Sequence, residues 1–128
     1  MKTTYTGGAV LVVEDDPLVR LDTALALSDA GFAVIEAGTA DEAIDILAER
    51  RHIGLVFTDI ETPGRHDGLD LARMVAETRP DLPVLVTSGQ RRAGGLDPRR
   101  FFAKPYDTRA VIARARALTA RRRKGLNA

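Results

Sequence analysis

The sequence contains no cysteine and no long apolar run. The lack of cysteine excludes disulfide frameworks, thiolate zinc sites, iron–sulfur clusters and cysteine nucleophiles. Apolar runs such as residues 9–13 are far too short to span a bilayer, and the first ten residues lack the apolar core of a signal peptide. We therefore expect a cytoplasmic protein with no membrane partner.

Two phosphate-binding motifs are also missing. Neither the GxGxxG fingerprint nor the GxxxxGK[ST] loop follows the apolar run at residues 9–13, where the sequence reads EDDP. Acidic side chains at this position would repel the pyrophosphate of a dinucleotide. Dinucleotide-binding and P-loop functions are therefore disfavoured.

The composition is that of one globular domain. The chain has 128 residues, of which 45% are apolar and 29% charged, so it is long enough for a single core but not for a two-domain enzyme. We expect the domain to cover residues 9–120, with residues 1–8 and 121–128 as flexible termini. Few residues follow the last predicted helix, so we expect a stand-alone module.

The net charge of +1 conceals an uneven distribution of charge. Residues 1–90 carry 16 acidic and 7 basic side chains, whereas residues 91–128 carry 2 acidic and 12 basic ones. Such polarity raises the alternative of a nucleic-acid contact. However, the C-terminal arginines form no single stripe with aromatic residues between them, and charge runs at a chain end are usually solvated. A nucleic-acid partner is therefore not expected.

Five short apolar runs rich in Val, Ile, Leu and Phe indicate β-strands. They are continuous rather than alternating, which is typical of strands buried on both faces of a parallel sheet. Helical patterns fill the gaps between them, so the chain predicts an α/β fold with a parallel sheet between two layers of helices. The predicted strands are residues 9–13, 32–36, 53–57, 82–86 and 100–103.

The first predicted helix has clear end signals. Asp16 is a typical N-cap residue, Pro17 suits the first helical position, and Gly31 suits the C-terminal end. The side chains expected to face the core are Leu18, Leu21 and Leu25.

Three further helices are indicated at residues 40–49, at residues 69–78 and from about Asp107 onward. In the last of these, the residues expected to face inward are Val111, Ile112, Ala115 and Leu118. Between the fourth and fifth strands the sequence SGQRRAGGLDPRR is rich in glycine, so a helix there is expected to be short or irregular.

Polar residues follow the predicted strands at the edge where a parallel sheet forms its binding sites. Two carboxylates 4 Å apart repel by roughly 4 kcal/mol at an effective dielectric constant near 20, so several in one cleft require a cation. All-oxygen ligands favour Mg²⁺, with Mn²⁺ as the alternative. The residues in question are Glu14, Asp15, Asp16, Asp59, Thr87, Ser88, Lys104 and Pro105.

Lys104 is one of only three lysines in a chain with 16 arginines. An ammonium opposite a cation-binding carboxylate cluster supplies a second positive charge for the same phosphoryl group. The constellation therefore indicates a phosphoryl site built around one carboxylate nucleophile.

Four blocks in this order, VLVVEDDPLVR, FTDIETPGRHDGLDLA, VLVTSG and FFAKPY, resemble the receiver domain of a two-component response regulator. The resemblance covers about residues 9–120. It implies a doubly wound, flavodoxin-like sheet of five parallel strands in the order 2-1-3-4-5, with helices on both faces. It also implies a phosphorelay function exerted through contact with a downstream protein that the sequence does not identify.

The resemblance assigns roles to individual residues. Asp59 would accept a phosphoryl group from a histidine kinase or a histidine phosphotransfer protein, and Asp16 would only cap the helix. The implied Mg²⁺ ligands are Glu14, Asp15, Asp59 and the backbone carbonyl of Glu61. The implied phosphoryl contacts are Thr87 and Lys104, although by chemistry alone Ser88 is as good a hydroxyl donor as Thr87.

The resemblance also implies a conformational switch. Its members would be Thr87 and Phe101, with Tyr106 as a second candidate for the exposed aromatic, and a cis peptide would precede Pro105. The glycine-rich segment 89–98 is predicted to be mobile without phosphate and to become ordered on phosphorylation or on binding of a partner. His52 and His66 are interpreted as surface residues.

The alternative is an enzyme, a small magnesium-dependent phosphatase of the haloacid-dehalogenase type. The spacing of Asp59 and Glu61 suits its two acids, but the chain lacks the cap and the later acidic motif of that class. We therefore expect no enzyme, beyond catalysis of the protein's own phosphorylation and dephosphorylation.

Overall fold

The computed structural model describes residues 8–50, 52–90 and 97–127, with side chains up to Thr119 in the last helix. Five strands form one parallel sheet in the order β2-β1-β3-β4-β5, which confirms the predicted order. In chain order the elements are β1 Ala9–Val13, α1 Pro17–Asp29, β2 Val34–Ala37, α2 Ala40–Glu49, β3 Ile53–Asp59, α3 Gly68–Thr78, β4 Val84–Ser88, β5 Phe101–Ala103 and α4 Thr108–Asn127.

The core lies on both faces of the sheet. Every residue of β1 and β3 is buried, as expected for central strands whose alternate side chains point to opposite faces. On one face Leu11 and Val13 pack with α2 and α3, and on the other Val10 and Phe57 pack with α1 and α4. The predicted inward face of α4 is confirmed, because Val111 and Ala115 are buried and Ile112 and Leu118 pack against the core.

The ends of α1 are as predicted, but its inward face is not. Asp16 caps the helix by accepting hydrogen bonds from the N–H groups of Leu18 and Val19 at 2.9 and 3.3 Å. The prediction that Leu18, Leu21 and Leu25 face the core is wrong, since these side chains are 78%, 48% and 54% exposed. The helix carries leucine on opposite sides, and it packs through the side that bears Thr23, Ala24 and Leu27.

Strand boundaries differ from the prediction by up to two residues, and the differences matter for the site. The third strand continues through Asp59, and the fourth is shifted to end at Ser88. These polar residues therefore belong to the strands themselves, where the ladder fixes their backbone: Asp59 is paired with Thr87 in the sheet register.

Some predictions fall outside the described residues. No helix occurs in the described residues between β4 and β5, namely 89–90 and 97–100, while the rest of the predicted mobile segment, 91–96, lies outside them. Of the expected flexible termini, residues 1–7 and 128 also lie outside, and the backbone of residues 121–127 belongs to α4. Within the described ranges, no helix has the length and apolarity needed to cross a membrane.

Candidate functional site

Three carboxylates meet at the carboxyl end of the central strands. Glu14 follows β1 and is only 3% exposed, Asp59 ends β3 and is 4% exposed, and Asp15 is exposed beside them. One oxygen from each lies within 4.8 Å of the other two. The sheet therefore brings together the carboxylates that the sequence predicted, and their all-oxygen donor set fits a hard divalent cation.

Lys104 closes this cluster from the loop after β5. Its Nζ donates to Glu14 Oε1 at 2.6 Å and to Asp59 Oδ2 at 2.8 Å. Burial lowers the pKa of this ammonium, but the hydrogen bonds to Asp59 and Glu14 outweigh it, so the pKa is raised. Lys104 thus stays charged and offsets part of the repulsion among the carboxylates.

The pKa of Glu14 is raised by its surroundings. Its burial raises its pKa above the ordinary value, against the lowering effects of the Lys104 hydrogen bond and of the N–H of Asp16, which lies 3.1 Å from Oε2. A further positive charge at the cluster would favour the ionised form. The charge of the neighbouring Asp59 adds to this rise in the pKa of Glu14.

Hydrogen bonds from the next two residues fix the position of Asp59. Its Oδ1 accepts a hydrogen bond from the N–H of Glu61 at 3.1 Å, and the N–H of Ile60 donates to the Thr87 carbonyl at 2.8 Å. The first residue of α3 is Gly68, where a Cβ would overlap the Asp59 carbonyl group. Only glycine allows the start of α3 to approach this strand end so closely.

The two hydroxyls at the end of β4 have different partners. Thr87 Oγ1 donates to the Phe102 carbonyl at 2.5 Å, whereas Ser88 Oγ donates to Glu61 Oε1 at 2.6 Å. The geometry therefore places the Ser88 hydroxyl against Glu61, two residues after Asp59, while the Thr87 hydroxyl is held by the backbone of β5.

The two aromatic residues considered for a switch, Phe101 and Tyr106, are both half-buried. Tyr106 places its hydroxyl 2.6 Å from Thr23 Oγ1 and its ring edge-to-face on Phe57, with centroids 5.2 Å apart. Burial raises the pKa of its phenol. Tyr106 is half-buried against α1. Phe101 is half-buried, and the switch roles of Thr87, Phe101 and Tyr106 remain predictions. The Lys104–Pro105 peptide is cis, as expected.

Sequence reasoning missed two charged residues, Arg20 on α1 and Asp41 on α2, that bind the backbone around the site. Arg20 donates from Nη1 to the Glu14 carbonyl at 2.8 Å and from Nε to Glu36 Oε1 at 3.2 Å. Asp41 binds the loop after β3, including His66. Arg20 ends the first of the four blocks, but its bond to Glu36 joins residues 16 apart. Asp41 lies in none of the blocks, and its partners are 24 or 25 residues away, so no local signal marked its role.

Fold and site together define a doubly wound α/β domain whose acidic edge fits a divalent cation and whose Lys104 contacts a buried aspartate. The model of the response regulator receiver domain matches residues 10–116. A crystal structure of a response regulator receiver protein from Sinorhizobium medicae WSM419 is 28% identical, with a TM-score of 0.81 over 89% of this chain and 95% of that one. One from Pseudomonas putida is 27% identical, with a TM-score of 0.76 over 91% and 99% of the two chains.

Curated relatives agree with these structures. Response regulator MprA of Mycobacterium avium (strain 104) is 37% identical over 118 residues, which cover 88% of this chain and 51% of that protein. The chain thus spans about half the length of the curated relatives it matches. It belongs to the response regulator receiver domain family, and the phosphatase alternative is not favoured.

Proposed function

We propose that Asp59 is the phosphoacceptor of this receiver domain. The observation that carries the proposal is the buried Asp59 carboxylate, with the Lys104 ammonium 2.8 Å from one oxygen and the Glu61 N–H 3.1 Å from the other. A carboxylate oxygen attacks the phosphorus of a phosphohistidine, the N–P bond breaks as the O–P bond forms, and the departing imidazole takes up a proton. The donor is a histidine kinase or a histidine phosphotransfer protein.

Mg²⁺ is the cofactor that the donor set fits, with Mn²⁺ as an alternative. The side chains that would hold it are Glu14, Asp15 and Asp59, with the backbone carbonyl of Glu61 as a further ligand. When bound, the ion supplies positive charge for the phosphoryl oxygens. Lys104, whose Nζ lies 2.8 Å from Asp59 Oδ2, would contribute a second cationic contact.

Ser88 is proposed as the hydroxyl that contacts the phosphoryl group, in place of Thr87. Its Oγ already lies on the side of Glu61, the residue whose N–H binds Asp59. To reach a phosphoryl oxygen, the hydroxyl would exchange its bond to Glu61 for one to the phosphoryl group. Thr87 would first have to leave the Phe102 carbonyl.

Ser88→Ala is therefore expected to slow phosphorylation by acetyl phosphate roughly tenfold, the effect of losing one hydrogen bond to a charged group. Thr87→Val keeps the shape of Thr87 without its hydroxyl and serves as the matched control, with a rate within about twofold of the wild type. Initial rates from intact-mass time courses measure both. The reverse ranking would return the role to Thr87.

The exposed leucines of α1 are proposed as the docking surface for the phosphodonor. Leu18 lines a depression together with Lys104 and Pro105, and Leu21 and Leu25 continue the same exposed face. Contiguous exposed apolar side chains mark interaction sites. Because this face adjoins Lys104, a protein docked there reaches Asp59 with its phosphohistidine.

The double change Leu21→Ser and Leu25→Ser tests this surface. Phosphotransfer profiling against purified histidine kinases first identifies the donor. The double variant should then lose at least about tenfold in rate with that kinase, since truncating interface anchors typically costs more than 1 kcal/mol each. Its rate with acetyl phosphate should match that of the wild type, because both leucines are outside the site. An equal loss with both donors would assign the effect to the fold instead.

The proposed function as a whole is tested by intact mass after incubation with acetyl phosphate. One phosphoryl increment is expected with Mg²⁺ and none with EDTA, and hydroxylamine should remove it, because it cleaves acyl phosphates. The protein should phosphorylate and dephosphorylate only itself. Sustained hydrolysis of p-nitrophenyl phosphate would contradict the proposal, and so would an increment resistant to hydroxylamine. A cytoplasmic location and an unidentified downstream protein partner remain predictions.

A further inference from the structure

The loop after the phosphoacceptor, residues 60–67, is named the acceptor loop here. Both of its ends are fixed. At its start, Ile60 and Glu61 bind Thr87 and Asp59 through their N–H groups. At its end, Asp67 caps α3 by accepting from the N–H of Asp70 at 2.9 Å, and Asp70 accepts in return from the N–H of Asp67 at 3.0 Å.

The middle of the acceptor loop is held by one side chain from another element. Asp41, in the first turn of α2, accepts from the N–H of Arg65 at 2.9 Å through Oδ2 and from the N–H of His66 at 3.2 Å through Oδ1. Oδ1 also lies 2.7 Å from His66 Nδ1. The same carboxylate thus has three partners that are 24 or 25 residues away in sequence.

The loop backbone is shaped to fit this carboxylate. Gly64 has a φ of 114°, a conformation that L side chains rarely adopt, and a Cβ there would overlap the Asp41 carboxylate. Thr62 adds a second tie, because its hydroxyl accepts from the N–H of Ala40 at 3.4 Å and donates to the His66 carbonyl at 3.3 Å.

Electrostatics keep Asp41 in the form that binds the loop. The contact with His66 and the N–H of Arg65 lower the pKa of its carboxyl below the ordinary value. Asp41 is therefore ionised at neutral pH, and its hydrogen bonds are of the stronger, charge-assisted kind.

We propose that Asp41 is a positioning residue for the phosphoryl site. By holding residues 62–66 against α2, it fixes the position of Glu61, whose N–H binds Asp59 and whose side chain accepts from Ser88. The inference rests on the proposed function, because Asp41 is inferred to affect Mg²⁺ affinity and the rate of phosphoryl transfer to Asp59. Asp41 acts through the acceptor loop and would contact neither the metal ion nor the phosphoryl group.

The test compares Asp41→Ala with Asp45→Ala, which removes the same charge from an exposed position one turn further along α2. Three quantities are measured: amide hydrogen exchange of Arg65, His66 and Glu61 in metal-free protein, the Mg²⁺ Kd from an NMR titration, and the initial rate of phosphorylation by acetyl phosphate.

In Asp41→Ala, amide exchange at Arg65 and His66 should accelerate at least about tenfold, as expected for lost charge-assisted hydrogen bonds. The Mg²⁺ Kd should rise about fivefold, and the phosphorylation rate should fall about fivefold. Asp45→Ala should match the wild type.

His66→Ala removes only the ring contact and leaves both backbone hydrogen bonds to Asp41, so it should show the same changes at smaller size. If Asp41→Ala does not fold, His66→Ala replaces it in the test. Faster loop exchange with Kd and rate within twofold of the wild type would overturn the proposal, because Asp41 would then support the fold alone. Unchanged exchange would overturn it as well. A wild-type protein that neither binds Mg²⁺ nor takes up phosphoryl would instead overturn the proposed function, and the inference with it.

Discussion

Asp59→Asn is expected to abolish phosphoryl uptake from acetyl phosphate and, at the same time, to make the metal-free protein more stable. The chemical effect follows because an amide cannot serve as the carboxylate nucleophile. The stability effect follows because Glu14, Asp15 and Asp59 share one edge with the single ammonium of Lys104. Removing one buried negative charge relieves repulsion, and Lys104 keeps Glu14 as its partner.

The expected gain is about 1–2 kcal/mol in the free energy of unfolding, the part of the like-charge repulsion that remains after one lysine hydrogen bond is weakened. Such gains are common where a site trades stability for function. Urea unfolding of metal-free protein measures the gain, and intact mass measures the loss of uptake. Mg²⁺ should stabilise the wild type more than the variant, because a ligand stabilises only the state that binds it.

Asp15→Asn is the matched control for this prediction. Asp15 belongs to the same carboxylate cluster but is exposed, so its charge is better solvated. The control should lower Mg²⁺ affinity while changing the metal-free stability by less than Asp59→Asn does. A metal-free Asp59→Asn protein less stable than the wild type would show that Asp59 and Lys104 form a net stabilising pair and would contradict this account of the cluster.

The position of the site could be predicted from sequence because it depends on topology alone. Polar residues at the ends of parallel strands share one sheet edge wherever the exact strand boundaries fall. Asp59 and Lys104 are 45 residues apart, yet they meet because each follows an apolar run in an alternating β and α pattern. The two-residue errors at β2, β3 and β4 therefore left the cluster intact.

Features that depend on the direction of a single side chain could not be predicted in this way. Thr87 and Ser88 differ by one position in a strand, and a shift of one residue reverses the face. On α1, leucine occurs on opposite sides of the helix, so the apolar pattern did not show which side packs. The face predicted to pack against the core, with Leu18, Leu21 and Leu25, is the exposed face of α1.

The contacts of Asp41 could not be predicted from sequence for a further reason. Their geometry requires the left-handed backbone at Gly64 and the position of α2 relative to the acceptor loop. Both are tertiary properties. An acidic residue in the first turn of a helix is also favourable for the helix itself, so the sequence offered a sufficient local reason for Asp41 and no sign of another.

Lys104→Met is expected to lower the free energy of unfolding by roughly 3 kcal/mol at neutral pH, the cost of leaving buried charges without their partner. Methionine has a similar length and fills the same space, so the change isolates the ammonium. Without it, Glu14 and Asp59, both less than 5% exposed, face each other with no cation among the described side chains in contact with them. Phosphorylation by acetyl phosphate should also fall sharply, because the second cationic contact for the phosphoryl group is lost.

The pH dependence distinguishes this cause from a packing defect. The folded-state pKa of Glu14 is raised by burial even with Lys104 present, and removal of Lys104 raises it further. A carboxyl whose pKa is higher in the folded state makes stability fall as pH rises through the interval between its ordinary and its raised value. The deficit of Lys104→Met relative to the wild type should therefore shrink as the pH is lowered from 7 towards the ordinary pKa of glutamate.

Lys104→Arg is the control that separates charge from geometry. It restores a cation beside Glu14 and Asp59, so it should recover most of the stability and abolish the pH-dependent deficit. The planar guanidinium does not reproduce the compact ammonium that donates to both carboxylates, so phosphorylation should remain impaired. Urea unfolding between pH 5 and 8 measures stability, and mass time courses measure the phosphorylation rate. A deficit in Lys104→Met that is constant over this pH range would assign the effect to packing and would remove the ammonium from the electrostatic balance of the site.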